Sequence, residues 1–308
     1  MQVLLVILGL AIGLILLVRG ADEMVKCAIH IAQKYKIPQS IVGAVYIGFG
    51  TSAPEWVAST TAVLQGDLPL AIGNIIGSNI ANSLLVLSIL FLLIGQGINK
   101  NLNLNLVSSN WMLIVTGIFI AGYLILNNFS RLLGVILLAT MFFAIRSMTA
   151  RGDSSKDSSI EQVKVKNLAL RSALSITATI YGSKLVVDSA IDLATIYNIS
   201  SLVIGVVVVA FGTSLPEIVS TISAAKFDKP EIVFGNIFGS NLFNIGLVGG
   251  TSILIAPGKL NSEITIQLLA MAAASVFVVY ISRQEIKKSY AMGIILFLLY
   301  LIFILSLF

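Results

Sequence analysis

Thr51, Ser52 and Glu55 stand at positions i, i+1 and i+4 of an apolar stretch, Gly48-Phe-Gly-Thr-Ser-Ala-Pro-Glu55. On a helix this spacing sets Glu55 one turn beyond Thr51 on the same face. Ser78 and Asn82, again four apart, follow in Gly73-Asn-Ile-Ile-Gly-Ser-Asn-Ile-Ala-Asn82. The same set returns as Thr213, Ser214 and Glu217 in Gly212-Thr-Ser-Leu-Pro-Glu217, then as Ser240 and Asn244 in Gly235-Asn-Ile-Phe-Gly-Ser-Asn-Leu-Phe-Asn244. Every one of these side chains offers an oxygen. Pro54 and Pro216 lack an amide proton, so a carbonyl one turn earlier loses its helical donor. With the neighbouring glycines, this frees backbone oxygens near Gly48 and Ala210. Two carboxylates, several hydroxyl and amide oxygens and free carbonyls suit a hard cation. Calcium takes about six to eight oxygens in irregular geometry, whereas magnesium demands a tighter octahedron. Two carboxylates neutralise one divalent ion, and sodium can use the same hydroxyls and carbonyls.

Each fragment alone has a plainer explanation. A single proline can be a helix kink. Gly73 with Gly77, and Gly235 with Gly239, fit small-xxx-small helix packing, which predicts close contact at both pairs. A lone Ser78 or Ser240 bonds its own backbone more often than an ion. Gly48-Phe-Gly50-Thr-Ser-Ala53 matches a dinucleotide fingerprint by letters but has no strand–turn–helix context. His30 falls in an amphipathic stretch and reads as a surface residue rather than a proton relay. The glutamates resist such readings. A carboxylate at membrane depth costs at least ~2.5–3.5 kcal/mol on insertion scales and marks a functional site by default.

The elements that must hold these residues form a repeat. The offset between the copies is 162 residues, and 17 of 42 ungapped positions are identical between 41–82 and 203–244. Apolar windows give ten spans, near 2–20, 40–64, 70–94, 105–126, 131–148, 167–184, 203–225, 232–255, 263–281 and 289–307, each close to the ~20 residues a bilayer requires. The first and sixth are expected to continue as helices into 21–36 and 183–198. Five spans per half is odd, so the second half enters from the opposite side and the repeats are inverted, with the second and seventh helices broken at the prolines. The domains are then 1–148, a polar linker 149–166, and 167–308. In the linker, Asp153, Asp157 and Glu161 lack the alternate spacing and central glycine of a helix–loop–helix calcium site.

Composition agrees. Of the 308 residues, 57% are hydrophobic and 11% charged, against about 25% charged for a soluble domain. The expected class is an all-α integral membrane protein. Cys27 and His30 are the only residues of their kinds, which excludes an intrachain disulfide and a thiolate cluster and argues against histidine-ligated zinc. The first apolar run has no preceding basic residue and no cleavage pattern, so it is read as a permanent span. Calling the N-terminal side A and the other side B, Lys and Arg divide three to sixteen. This puts side B in the cytoplasm and both termini outside. Basic loops account for the net charge of +5 without a nucleic-acid partner.

At these motifs the chain resembles the cation/calcium exchanger superfamily. Gly50-Thr-Ser-Ala-Pro-Glu55 with Gly73-Asn…Gly77-Ser-Asn…Asn82, and their copies at 212–217 and 235–244, look like its two alpha repeats. The sodium/calcium branch, in its compact prokaryotic form, is the most similar. The resemblance implies calcium held by Glu55 and Glu217 with backbone oxygens of Thr51 and Thr213. It implies sodium sites on Ser52, Ser78, Ser214, Ser240 and the carbonyls of Gly48 and Ala210. Asn244 stands where potassium-dependent and some prokaryotic members have aspartate, which argues against potassium cotransport. The Gly-Asn-x-x-Glu pattern of the proton/calcium branch is missing.

The expectation is a secondary antiporter in the plasma membrane, a functional monomer without cofactors, that moves calcium outward as sodium enters. Proton/calcium exchange is the alternative, with Glu55 and Glu217 protonating in place of sodium binding. An intramembrane hydrolase also needs two carboxylates, but it uses aspartate dyads that share a proton, and no Gly-x-Gly-Asp stands here. A passive channel fits paired, inverted helix breaks less well than alternating access does. Topology is checked by cysteine labelling after replacement of Cys27: a probe at Ser155 should react from the cytoplasm and one at Asp67 from outside, and the reverse pattern would overturn the orientation.

Overall fold

The computed structural model describes residues 2–94, 104, 106–126, 128–150, 167–197, 210–260, 264–284 and 289–306. Ten helices cover the expected spans. α1 is Gln2–Tyr35; α2 runs through Gln39–Val42, Gly43–Ile47 and Gly48–Leu64; α3 through Leu68–Ala81, Asn82–Val86 and Leu87–Ile94; α4 is Leu106–Leu126 and α5 Arg131–Ala150. α6 is Leu168–Ile196; α7 comprises Ala210–Thr213 and Leu215–Lys226; α8 Pro230–Phe243, Asn244–Gly249 and Gly250–Ile255; α9 is Ile264–Ser282 and α10 Ser289–Leu305. The first and sixth helices do continue past the bilayer-length apolar run. Of the expected seventh span, 203–209 lies outside the described residues, as does 151–166 of the linker.

Six of these helices are long and apolar enough to cross a membrane, and Tyr290–Leu305 is a shorter apolar helix. The burial of each decides its place. In Leu68–Leu93 and Pro230–Ile255, 83% and 94% of the most apolar window is buried inside the protein, against 17% for the first helix. α3 and α8 therefore form the centre, and α1 shows most of its apolar surface to the outside. Exposed Leu, Ile and Val along α1, α5 and α10 are ordinary where the surrounding solvent is lipid.

Glycine governs the two close crossings. Along α1 and α6, a Cβ on Gly9 would meet Ser189, one on Gly13 would meet Val186 and Gly182, and one on Gly20 would meet Thr179 and Ser175. The numbers fall in one helix as they rise in the other, so α1 and α6 are antiparallel, and Arg171 closes the pair on Glu23. In the second crossing, Gly43 of α2 lies on Ile232 and Asn236 of α8, and Gly48 lies on Gly239 and Ser240. Here the numbers rise together, so α2 and α8 are parallel. Without a hydrophobic force between helices in lipid, such backbone approach supplies the van der Waals contact that holds them.

On one face, Phe129 and Gly258 exchange backbone hydrogen bonds of 2.8 and 3.0 Å, and Tyr123 stacks on Phe129 with ring centres 4.6 Å apart. This joins the α4–α5 turn to the segment after α8.

A side chain at Gly182 has to displace the backbone of α1, since its Cβ would lie 2.9 Å from Gly13 O and from Leu17 Cα. Gly182→Val should lower the thermal midpoint in detergent, at an overpacking cost of about 1–3 kcal/mol. Gly117→Ala, with nothing within 4 Å of the new Cβ, should not lower it. Equal midpoints for both variants would remove the α1–α6 crossing as a stabilising contact.

Candidate functional site

The sequence-selected residues lie at the centre. Thr51, Asn82, Glu217, Ser240 and Asn244 are 0% exposed, Glu55 and Ser214 1%, Ser52 3%, Ser78 4% and Thr213 8%. Gly48 is buried in α2, and Ala210 opens the described part of α7. Among the described residues, no side-chain oxygen of Glu55 or Glu217 has a hydrogen-bond partner, nor does either polar atom of Asn82 or Asn244, nor the Ser214 hydroxyl. A buried polar group without a partner costs about 1–3 kcal/mol, and a charged one more. Nine such atoms gather on five residues of one repeated motif.

The backbone presents these groups through irregularities in the helices. α3 and α8 each contain a π-helical turn, Asn82–Val86 and Asn244–Gly249. Both begin on the asparagine that sequence spacing selected, at equivalent repeat positions. A π turn shifts the hydrogen-bond register by one residue, and single π turns gather at functional sites. α2 has another at Gly43–Ile47 and then stays helical through Pro54. In α7, Ser214 separates Ala210–Thr213 from Leu215–Lys226, with Pro216 in the first turn of the second piece, where its missing N–H is harmless. Glu217 falls in that same first turn, where the positive end of the helix dipole favours a carboxylate.

Side chains from both halves meet here. The Thr51 hydroxyl lies 3.0 Å from Ser240 Oγ and donates to Asn236 Oδ1 at 3.2 Å. Ser240 donates to the same Oδ1 at 3.2 Å rather than to its own backbone, and Ser52 donates to the Ser240 carbonyl at 3.4 Å. Glu217 acts electrostatically on Glu55, and the hydroxyls of Thr51 and Ser240 act on Glu217 without closing a hydrogen bond to it. Asn82 and Asn244 are held by no other side chain.

Two residues outside the selected set brace it. Asn236 Nδ2 donates to Ser220 Oγ at 3.2 Å, and Ser220 donates onward to the Glu217 carbonyl at 3.0 Å. Asn74, its repeat counterpart, donates to Ser59 Oγ at 2.9 Å and to the Glu55 carbonyl at 3.5 Å. Each asparagine thus ties the helix after a glutamate back to the backbone of that glutamate. Their recurrence at the 162-residue offset was the available signal.

Cβ atoms on Gly235 and Gly239 would overlap the carbonyls of Ser40 and Ala44, as small-xxx-small packing predicts. The positions that would answer Gly73 and Gly77 in the same way, 202 and 206 by the 162-residue offset, lie outside the described residues. His30 accords with its surface reading, its Nδ1 lying 2.8 Å from the Lys26 carbonyl.

A membrane-embedded all-helical chain with a paired, repeated acidic site defines a class of ion carriers, and the family described as sodium/calcium exchanger protein matches residues 5–149 and 168–308; the chain belongs to that family. It is similar to the sodium/calcium exchanger MaX1 of Methanosarcina acetivorans, 29% identical with 97% of each chain covered. It is also similar to the putative antiporter CaxA of Alkalimonas amylolytica, 31% identical over 82% of this chain and 81% of that one. A solved structure of the sodium-calcium exchanger NCX_Mj, soaked with Na+ and Sr2+, superposes with a TM-score of 0.84 at 29% identity and covers 99% of both chains.

Asn236 and Asn244 predict opposite responses to truncation. Without added cation, Asn236→Ala removes the shared acceptor of the Thr51 and Ser240 hydroxyls and the donor to Ser220 and should lower the thermal midpoint, by the equivalent of about 1–3 kcal/mol. Asn244→Ala removes two atoms that have no partner and should leave the midpoint unchanged or raise it. A drop in Asn244→Ala equal to that in Asn236→Ala would show that Asn244 braces the fold.

Proposed function

We propose that the chain is a secondary antiporter that exchanges sodium for calcium by alternating access and extrudes calcium from the cytoplasm. The observation that carries this reading is the set of buried, unpartnered oxygens: both carboxylates, both asparagine carboxamides and the Ser214 hydroxyl. Glu55 and Glu217 neutralise one divalent ion, with the backbone oxygens of Thr51 and Thr213 completing its shell. Ser52, Ser78, Ser214 and Ser240, with the carbonyls of Gly48 and Ala210, serve sodium, so the two ions compete through shared carboxylates. Asn82 and Asn244 close the centre of the site.

Two inverted five-helix repeats, 1–148 and 167–308, joined by the cytoplasmic linker 149–166, supply the alternation. The antiparallel pairing of the repeat counterparts α1 and α6 supports inversion. The prolines and the π turns support irregular second, third, seventh and eighth helices around the site. Empty, doubly charged carboxylates are costly to carry through a closed and dry intermediate, so only an occupied site crosses. That is the coupling. Sixteen of the nineteen Lys and Arg residues fall on side B, which supports both termini outside the plasma membrane, and the chain works as a monomer without a cofactor. The relatives named as sodium/calcium exchangers and the ion-soaked NCX_Mj structure support the choice of ions.

The test is calcium-45 flux in proteoliposomes at fixed pH, with sodium varied against potassium. Sodium should drive flux steeply, and the dependence should flatten in Ser78→Ala and Ser240→Ala. Glu55→Gln and Glu217→Gln should each abolish transport, because a lone carboxylate leaves the ion under-neutralised in a low-dielectric site. Flux driven equally by a pH gradient without sodium would replace this reading with proton/calcium exchange.

A further inference from the structure

The crossing of α3 and α8 carries polar residues that the candidate site does not use. Asn241 of α8 donates from Nδ2 to Ser83 Oγ of α3 at 3.0 Å and lies 3.6 Å from Met112 Sδ of α4. Asn241 and Ser83 are fully buried and belong to different halves of the chain. About two turns away along both helices, a Cβ on Gly249 would lie 3.8 Å from Ile75. Numbers fall in α3 as they rise in α8, so the two helices are antiparallel. The position midway between these pairs sets Asn79 opposite Ile245.

Asn79 is the repeat counterpart of Asn241, and Ile245 that of Ser83. Equivalent positions in the two halves thus hold unequal chemistry. Facing a serine, the Asn241 amide bridges the halves. Facing an isoleucine, the Asn79 amide has no acceptor across the crossing and turns back to the Ile75 carbonyl of its own helix at 2.6 Å. Among the described residues, the Oδ1 of each amide has no partner. Keeping such an acceptor buried costs about 1–3 kcal/mol, which a crossing built for packing alone would avoid with a leucine.

The bridge falls where it acts on the site. Ser83 is the second residue of the π turn Asn82–Val86, directly after Asn82. Asn241 stands one turn before Asn244, which begins the π turn of α8. The register shift of a π turn changes the direction in which its residues project, and among the described residues no hydrogen bond holds either polar atom of Asn82.

We propose that Asn241 is a positioning residue of the second half for a ligand of the first: its hydrogen bond to Ser83 fixes the π turn of α3 and thereby aims the Asn82 carboxamide into the site. Asn244 receives no such hold, because Ile245 faces Asn79 across the crossing. The two asparagines, equivalent in the repeat, are unequal as ligands, with Asn82 preorganised and Asn244 left to adjust. Outer contacts that orient cation-binding groups cost about 10–100-fold in affinity when they are removed. The inference rests on the cation-binding reading above, though not on which ion drives exchange.

Asn241→Leu keeps the side-chain volume and removes the unpartnered oxygen, and the Ser83 hydroxyl can bond its own helix instead, so folding is preserved. In cation-free protein, backbone hydrogen exchange should quicken across Asn82–Val86, in the opposite half, and stay within about twofold of wild type at Asn244–Gly249, just after the substitution. The calcium concentration giving half of the thermal stabilisation should rise at least about tenfold in Asn241→Leu and in Ser83→Ala. That rise should vanish when Ser83→Ala is placed in an Asn82→Ala background and persist in an Asn244→Ala background, since effects that run through Asn82 do not add to its loss. Faster hydrogen exchange confined to α8 would overturn the proposal, as would an unchanged calcium concentration or additive effects in both backgrounds. If calcium does not stabilise the wild type, the cation reading fails by itself, and the hydrogen exchange of Asn82–Val86 still decides whether Asn241 holds that turn.

Discussion

Two carboxylates with no donor among the described residues, buried at the centre of a membrane-embedded helical bundle, are the constraint on which this structure depends. Hydrocarbon supplies neither hydrogen bonds nor counter-ions, so Glu55 and Glu217 must be surrounded by protein that leaves room for something else to satisfy them. Their surroundings do this unevenly. Backbone carbonyls of the glutamates are braced by Asn74, and by Asn236 through Ser220, while the carboxylate oxygens are left unbonded. The backbone is braced and the carboxylates are not.

Holding such a frame calls for the most buried helices at the centre, and α3 and α8 fill that place. Their close neighbours approach through glycine, which brings backbone against backbone and gives the contact a definite geometry. The α1–α6 crossing uses the same means at the periphery, with the Glu23–Arg171 ion pair at one end. Rigid contacts of this kind tend to have a small number of discrete arrangements rather than a continuum, because packed interiors deform little. The alternating access proposed above would need that property.

Much of this was legible from residue order. Ten apolar windows became ten helices, because in a bilayer hydrophobic length and helix length are the same physical requirement. The motif residues that spacing selected all lie buried at the centre, from Thr51 and Glu55 to Asn244. The π turns at Asn82 and Asn244 were not legible. A one-residue shift of register leaves no mark on composition, and both turns are built from residues that also suit an α-helix. Asn74 and Asn236 were visible in the repeat, but amide side chains one turn inside a helix give no sign of which backbone they will brace.

Asn82 and Asn244 hold a consequence that a pair of carboxylates would not. A carboxylate offers the same acceptor whichever way it turns. A carboxamide is two-sided: half a rotation about its last bond exchanges an acceptor for a donor at almost unchanged volume. In α3 and α8 neither end of these amides has a hydrogen-bond partner among the described residues, so no hydrogen bond there fixes which end faces inward. On the exchange reading proposed above, a bound cation would meet the oxygen and a bare carboxylate the N–H. The centre of the molecule thus carries a pair of reversible dipoles, able to answer either a positive or a negative neighbour without moving the helices that bear them.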